Sequence, residues 1–382
     1  IVDELDDESR SALVQQAEKI VREQVIPGYE GIIALFEDMA ITANHDAGIW
    51  RLPEGEAIYR DRLLSSTSTE YTPDDIHNTG LAEVARIALE MHSIMDEQGV
   101  PEGPLGERVQ LVMEDPSQQF ANSAGGRAEM IDYMKIFDAK VMERAPEFFI
   151  TIPAQRLEIL RISPDKQDAA PGAYYSPPAL DGSRPGRFYI NQKNTADNPR
   201  WTLNTLMIHE GSPGHHFQIS AAQLIEDVPF LRKLSPFTAF TEGWALYAER
   251  IAKTDMGLYD DDPLADLGRL QAEMFRAVRL VVDTGLHAKR WSREEAIDYM
   301  LTNTGMTEEE VTREIERYVV IPGQATAYKT GQLALLELRS LAETTLGERF
   351  DVREFHEHVL MNGAMPLALL RKEVEAWISS QE

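Results

Sequence analysis

The stretch Leu206-Met207-Ile208-His209-Glu210-Gly211-Ser212-Pro213-Gly214-His215-His216-Phe217-Gln218 decides how this chain is read. It gathers three of the nine histidines and sets a carboxylate, Glu210, directly after the first of them. A regular helical zinc motif spaces its two histidines four apart, so that both look to one side. Here position 213 is proline, and the next histidines stand six and seven positions after His209. Proline lacks the N–H that would bond back to the His209 carbonyl, and its ring clashes there. With Gly211 and Gly214 around it, the turn is expected to kink or bulge. On an ideal helix His216 would share a face with His209 and His215 would not. A bulge removes that guide, so residue count leaves both histidines open as the partner of His209.

Downstream runs a second acidic stretch, Thr241-Glu242-Gly243-Trp244-Ala245-Leu246-Tyr247-Ala248-Glu249. Catalytic zinc takes imidazoles and carboxylates in a tetrahedral array and keeps one position for water. Bound zinc lowers the pKa of that water to about 7. His209 and one of the two later histidines fit as ligands, and Glu242 fits as the third. Glu210 is adjacent in sequence to a ligand but on the neighbouring face, which suits a general base. Glu249, on one face with Glu242, suits a carboxylate that orients a ligand imidazole. A bare His-Glu pair says little. Proline and glycines placed inside a helix without packing gain point more firmly to a metal site.

Two weaker candidates lie further along. Tyr328, in Gly323-Gln324-Ala325-Thr326-Ala327-Tyr328-Lys329, could donate to an oxyanion from a helix; as one of twelve tyrosines it also reads as packing. Arg279, Asp283 and His287 step along one helix, so Asp283 could orient His287 toward a cleft; the plainer reading is an ion pair on the helix surface. His77 and His92 read as surface or packing residues, and His356 and His358 have no partner pattern.

Composition narrows the classes. The 382 residues carry 64 acidic and 37 basic side chains, a formal net charge of −27. Nucleic acid and anionic membrane surfaces both need a basic footprint, so neither is an expected partner. The absence of cysteine excludes disulfides and thiolate zinc sites. No apolar run approaches the ~20 residues of a membrane-spanning helix. Residue 1 is isoleucine and residues 1–24 form an acidic amphipathic pattern, which reads as a piece of a longer protein.

Periodicity predicts helices over residues 7–24 and 29–43, broken at Pro27-Gly28, then over 56–64, 76–98 and 124–141. Thr72 as N-cap and Pro73 at the first helical position mark the start of the fourth. Met130, Tyr133, Met134 and Phe137 recur at core spacing. Short strands are expected at 149–152, 157–162, 172–175 and 186–191, with a tight turn over 179–185. A strand at the edge of such a sheet could take an extended peptide. A loop with a short helix is expected over 229–237. Further helices follow at 238–253, 262–289, 292–302, 307–320, 324–346, 351–361 and 366–379, with Thr307 and Glu310 as a capping box. The chain divides at about residue 148, into an N-terminal helical part (1–147) and a part with the sheet and the metal-site helices (148–382), expected to be pieces of one continuous domain.

His-Glu-Gly-Ser-Pro-Gly-His-His-Phe-Gln (209–218), Thr-Glu-Gly-Trp-Ala-Leu-Tyr-Ala-Glu-Arg (241–250), the segments 181–191 and 279–287, and 322–333 together resemble a bacterial family, domain of unknown function 885. Its members are often exported or lipoproteins, which implies a periplasmic, secreted or lipid-anchored protein. That family is similar to the gluzincin metallopeptidases, the thimet-oligopeptidase and angiotensin-converting-enzyme group. The resemblance implies a mainly α-helical fold with a small antiparallel sheet beside a deep cleft. It implies Zn2+ held by His209, His215 and Glu242, and Glu210 as the base. Tyr328 would be the transition-state donor, with His287 as a lesser one, and the strand at Phe188–Asn191 would be the substrate-binding edge. The expected activity is zinc-dependent cleavage of short peptides. The alternative is a peptide-binding protein with the same cleft and no turnover; the spacing, two residues longer than His-Glu-x-x-His, speaks for it, and retention of Glu210 speaks against it.

Overall fold

Side-chain caps start the helices where the sequence places them. The Asp75 N–H donates to Thr72 Oγ1 at 3.1 Å while the Thr72 N–H donates to the Asp75 carboxylate at 2.9 Å. Thr307 and Glu310 make the same reciprocal pair. Each satisfies N–H groups that a helix start leaves without partners. The computed structural model describes residues 6–168, 170–226 and 237–381. The loop expected over 229–237 lies, except for Phe237, outside them.

The chain divides into two units, Ile1–Asp46 and Ala47–Glu382. In the first, α1 (Asp7–Ile20) passes through a π-helical turn (Val21–Val25) into α2 (Ile26–Ala40). The sequence predicts a break at Pro27, and none occurs. The Ile26 N–H reaches back five residues to the Val21 carbonyl, and this widened turn carries the helix past a residue that cannot make the usual bond. No side chain of α1 or α2 is buried.

The second unit is built from α3 (Gly55–Thr67), α4 (Pro73–Glu97), α5 (Leu105–Met113), α6 (Ala124–Arg144), a three-stranded sheet and the helices that follow it. The sheet comprises β1 (Leu157–Arg161), β2 (Ala173–Ser176) and β3 (Gly186–Ile190), in the order β1-β3-β2. It is mixed, not antiparallel: β1 runs parallel to β3, and β2 antiparallel to it. The chain crosses past β1, forms β2, and returns through the expected tight turn, where Gly182 adopts φ +73°. That path puts β3 in the middle. The strand expected to be the substrate-binding edge is therefore paired on both sides, and the edges are β1 and β2. Residues 149–152 are not a strand either. The Thr151 N–H and hydroxyl bond instead to the Glu357 carboxylate, at 3.0 and 2.7 Å.

After the sheet come α7 (Arg200–Glu210), α8 (His215–Gln223), α9 (Thr238–Thr254) and α10 (Pro263–Ala288). They are followed by α11 (Arg293–Thr304), α12 (Glu308–Val320), α13 (Ala327–Leu346), α14 (Val352–Met361) and α15 (Leu367–Gln381). The fold is mainly helical. Helix α10 is its spine, with buried residues around most of its circumference. Val84, Ile87 and Met91 of α4 share a core with Leu270, Val278 and Val281 of α10, so helices from either side of residue 148 pack together. Helices α9 and α13 cross at Gly243 and Gly331. A Cβ on Gly331 would lie 1.8 Å from the Ala239 carbonyl oxygen, so only glycine lets the backbones meet there.

His356 on α14 is sealed from solvent. Its Nδ1–H donates to the Phe148 carbonyl at 2.9 Å and its Nε2 accepts from the Tyr247 hydroxyl at 2.8 Å. Burial pushes its pKa down to about 4, with the Phe148 carbonyl working in the other direction. An unfolded imidazole titrates at about 6.5, so between those values the unfolded chain takes a proton that the folded chain refuses. Stability is expected to be full above pH ~6.5 and to fall as pH drops toward ~4. Burial lowers His77, His216 and His358 in the same sense. Urea unfolding across this range is expected to show a shallower decline for His356→Gln than for the parent; identical slopes would refute the assignment.

Candidate metal centre

The motif folds as two helices, not as one kinked helix. Helix α7 ends at Glu210, α8 starts at His215, and Gly211-Ser212-Pro213-Gly214 turns between them with a cis bond before Pro213. A Cβ on Gly214 would lie 2.2 Å from the carbonyl oxygens of both Ile208 and His209. Glycine alone therefore lets α8 start so close to the end of α7. The Trp244 indole N–H fastens the turn from α9 by donating to the Pro213 carbonyl at 2.8 Å. Asp138 of α6 holds Ser212 from the other side; burial raises that carboxyl to about 6, against the hydrogen bonds from Ser212.

This fold-back brings His209 and His215 together, rings 4.8 Å apart and nearly perpendicular. Glu242, early on α9, completes the group. Its Oε2 lies 3.5 Å from His209 Nε2 and 3.3 Å from His215 Nε2, and one ligand atom from each residue falls within 4.8 Å of the others. Ligands held at ~2.0–2.1 Å in a tetrahedron sit about 3.3–3.5 Å from one another. Glu242 Oε2 is buried and accepts no well-directed hydrogen bond. A buried carboxylate oxygen between two imidazole nitrogens, at that spacing and without a donor, fits a cation. The donor set of two imidazoles and one carboxylate fits zinc.

Glu249, two turns after Glu242, contacts the other ring nitrogen of His209: Oε1 to Nδ1 is 2.7 Å, and the carboxylate is 2% exposed. The bond puts the His209 proton on Nδ1 and leaves Nε2 for a ligand bond. Burial alone would push the His209 pKa down; the nearby Glu242 and Glu249 carboxylates outweigh it and raise the value to about 9 without metal. Burial would likewise raise Glu242, but His215 and His209 hold it far below the ordinary carboxylate range. Metal entry would displace a proton. Glu210, the last residue of α7, is half-buried and has no side-chain partner among the described residues.

His216 turns the opposite way, where Nδ1 meets the Tyr175 hydroxyl at 2.9 Å and Nε2 the Gln155 carbonyl at 3.0 Å. It ties α8 to the sheet. His287 is a correction. Its Nδ1 accepts from the Ile49 N–H at 3.0 Å, its Nε2 donates to the Tyr318 carbonyl at 3.0 Å, and it is 1% exposed. With both nitrogens committed to backbone, it has none for a substrate. The surface ion pair expected along that helix is absent too. Asp283 accepts from the Tyr59 hydroxyl and the Gly323 N–H, and Arg279 bonds Tyr318 and Glu314. His77 and His92 pack as expected, against Thr284 and Arg108.

Tyr328 is half-buried near the start of α13, three residues before the Gly331 crossing with α9. The Arg279 guanidinium lies over its ring at 4.7 Å and over the Phe275 ring at 4.0 Å. Phe275 in turn lines a cavity of about 230 Å³ that reaches His209 and Glu249. Arg276 lines the same cavity and escaped the sequence reading, because one arginine on a long helix carries no distinguishing spacing. Lys329 also escaped it, although it stands beside Tyr328: its ammonium is fully buried among Glu83, Glu273 and Gln332.

The model of a family described as "Bacterial protein of unknown function (DUF885)" matches residues 1–374. A crystal structure of a candidate lipoprotein from Colwellia psychrerythraea superposes with a TM-score of 0.96 at 42% identity, covering 99% of this chain and 65% of that one. A candidate lipoprotein of unknown function from Shewanella oneidensis superposes with a TM-score of 0.76 at 19% identity, covering 97% of this chain and 68% of that one. The chain thus spans about two thirds of the length of either protein. Among curated proteins, none matches.

Proposed function

We propose that this chain, which belongs to the DUF885 family of bacterial proteins, is a zinc-dependent hydrolase that cleaves short peptides. The observation that carries the reading is the buried, donor-free Oε2 of Glu242 between His209 Nε2 and His215 Nε2. His209, His215 and Glu242 would hold the metal. Bound zinc would supply a water acidic enough to deprotonate near neutral pH and a Lewis acid for the scissile carbonyl. Glu210, unpartnered and next to a ligand, would take the water's proton and return it to the leaving amine. Glu249 keeps His209 in the tautomer whose Nε2 can bind. Tyr328 would donate to the developing oxyanion. In this reading the arrangement is gluzincin-like, with α7 to α9 carrying the site in a cleft.

The lipoprotein descriptions of the two relatives extend to this chain as part of the same proposal: a secreted or lipid-anchored protein. Among the described residues no helix is long and apolar enough to cross a membrane.

Metal analysis and peptide cleavage test the reading together. Protein loaded with zinc and desalted is expected to retain the metal stoichiometrically. It should cleave a pool of short peptides, lose that activity to a chelator and regain it with zinc. A site that stays metal-free in excess zinc overturns the proposal. Zinc-loaded protein that binds peptides without cleaving them makes it a binder.

A further inference from the structure

The cavity on the far side of His209 contains a cation in an unusual position. Arg276 of α10 lines it, in a chain with 64 acidic side chains, and among the described residues its guanidinium has no carboxylate within ion-pair distance. Its one hydrogen bond runs from Nη1 to the Ala272 carbonyl on its own helix at 3.3 Å, and its Nε is buried without a partner. The carboxylates lining the same space are otherwise engaged. Glu249 is bound to His209, Glu310 caps α12 through Thr307, and Asp197 accepts from Asn194. A buried Nε–H left without an acceptor is costly, and a planar carboxylate is the acceptor that the guanidinium geometry suits. The room is about 230 Å³, below the ~300 Å³ of the smaller whole-ligand sites, so it suits one end of a ligand.

We infer that Arg276 and this cavity form a subsite for a carboxylate at one end of the bound ligand. The inference rests on taking the neighbouring triad as the reaction centre, and it gives that centre a substrate class: short peptides carrying a carboxylate, which is held on the side of His209 that faces Glu249. The carboxylate is either the peptide's C-terminus or an acidic side chain. Phe275, beside Arg276 in the lining, supplies an apolar wall for the adjoining part of the ligand.

Equilibrium binding tests this apart from turnover. Calorimetry on the full chain, metal-free and zinc-loaded, compares acetyl-Ala-Ala with its C-terminal amide, and acetyl-Asp-Ala amide with acetyl-Asn-Ala amide. Loss of a charge-assisted hydrogen bond corresponds to roughly a tenfold or greater loss of affinity. The parent protein is expected to prefer the acid in one of the two pairs by about that factor, and the pair identifies the carboxylate. Arg276→Met should erase the preference and Arg276→Lys retain part of it, with unfolding curves confirming that both variants fold. No preference in either pair, or a preference that survives Arg276→Met, overturns the inference. A preference that holds in metal-free protein while zinc-loaded protein shows no cleavage refutes the hydrolase reading and leaves the subsite standing.

Discussion

Glu210→Gln is expected to lower turnover of a short peptide by about 10²–10⁴-fold, the usual contribution of a positioned general base, while zinc remains bound. The two halves of this outcome have different physical origins. Glutamine has nearly the shape of glutamate, but its amide cannot accept the proton of an attacking water. The side chain is half-buried and has no partner among the described residues, so the exchange breaks no internal hydrogen bond. The three groups that would hold zinc are His209, His215 and Glu242, and none of them is altered. Glu242→Gln provides the contrast. It removes the charge between the two imidazoles and should lose both metal and activity. The loss in Glu210→Gln should appear in kcat, because the proton moves in the transition state and not on binding. Zinc-loaded Glu210→Gln with parental turnover would show that the water's proton goes elsewhere, and the mechanism would fail at its central step.

The largest stability effect is expected at Glu273. This α10 carboxylate is 2% exposed and sits among four cations: Lys329 at 2.6 Å, Arg86 at 2.6 Å, Arg269 at 3.2 Å and Arg250 at 3.7 Å. The Lys329 ammonium is fully buried, with Glu83 as its other anion at 2.8 Å. Burial would raise the Glu273 pKa, but Lys329, Arg86 and Arg269 hold it far below the ordinary range. Truncating one member of such a cluster leaves buried charge uncompensated, typically at about 3–5 kcal/mol. Glu273→Leu should therefore shift the urea midpoint by an amount matching that range. Added salt should not mimic the effect, since ions screen buried pairs poorly. Because the folded pKa is depressed, the carboxylate's contribution is present above the unfolded value of about 4.3 and is lost as pH falls below it. A shift below about 1 kcal/mol would place the cluster with exposed ion pairs, and the burial argument would be wrong.

Local chemistry was legible in the sequence because it acts over a few residues. Thr72 with Pro73, Thr307 with Glu310, and the turn over 179–185 form as their composition dictates. Gly211, Pro213 and Gly214 announced a disrupted helix. Glu249 stood at the helical interval from Glu242 that lets both carboxylates face His209. Pro27 predicts a break, since the sequence does not show that a π-turn precedes it.

Tertiary structure alone decided the rest. Once the helix is broken at Gly211 to Gly214, angles per residue no longer propagate, and His215 and His216 cannot be ranked by counting. His216 goes to the sheet because Tyr175 and Gln155 are there to satisfy both its nitrogens, and that leaves His215 facing His209 and Glu242. His287 lost its expected role for the same kind of reason, since the backbone groups of Ile49 and Tyr318 come from segments far from it in sequence. The central position of β3 and the unpaired guanidinium of Arg276 likewise depend on what other parts of the chain bring near. A sequence sets what each side chain can bond to, and only the fold determines which partner arrives.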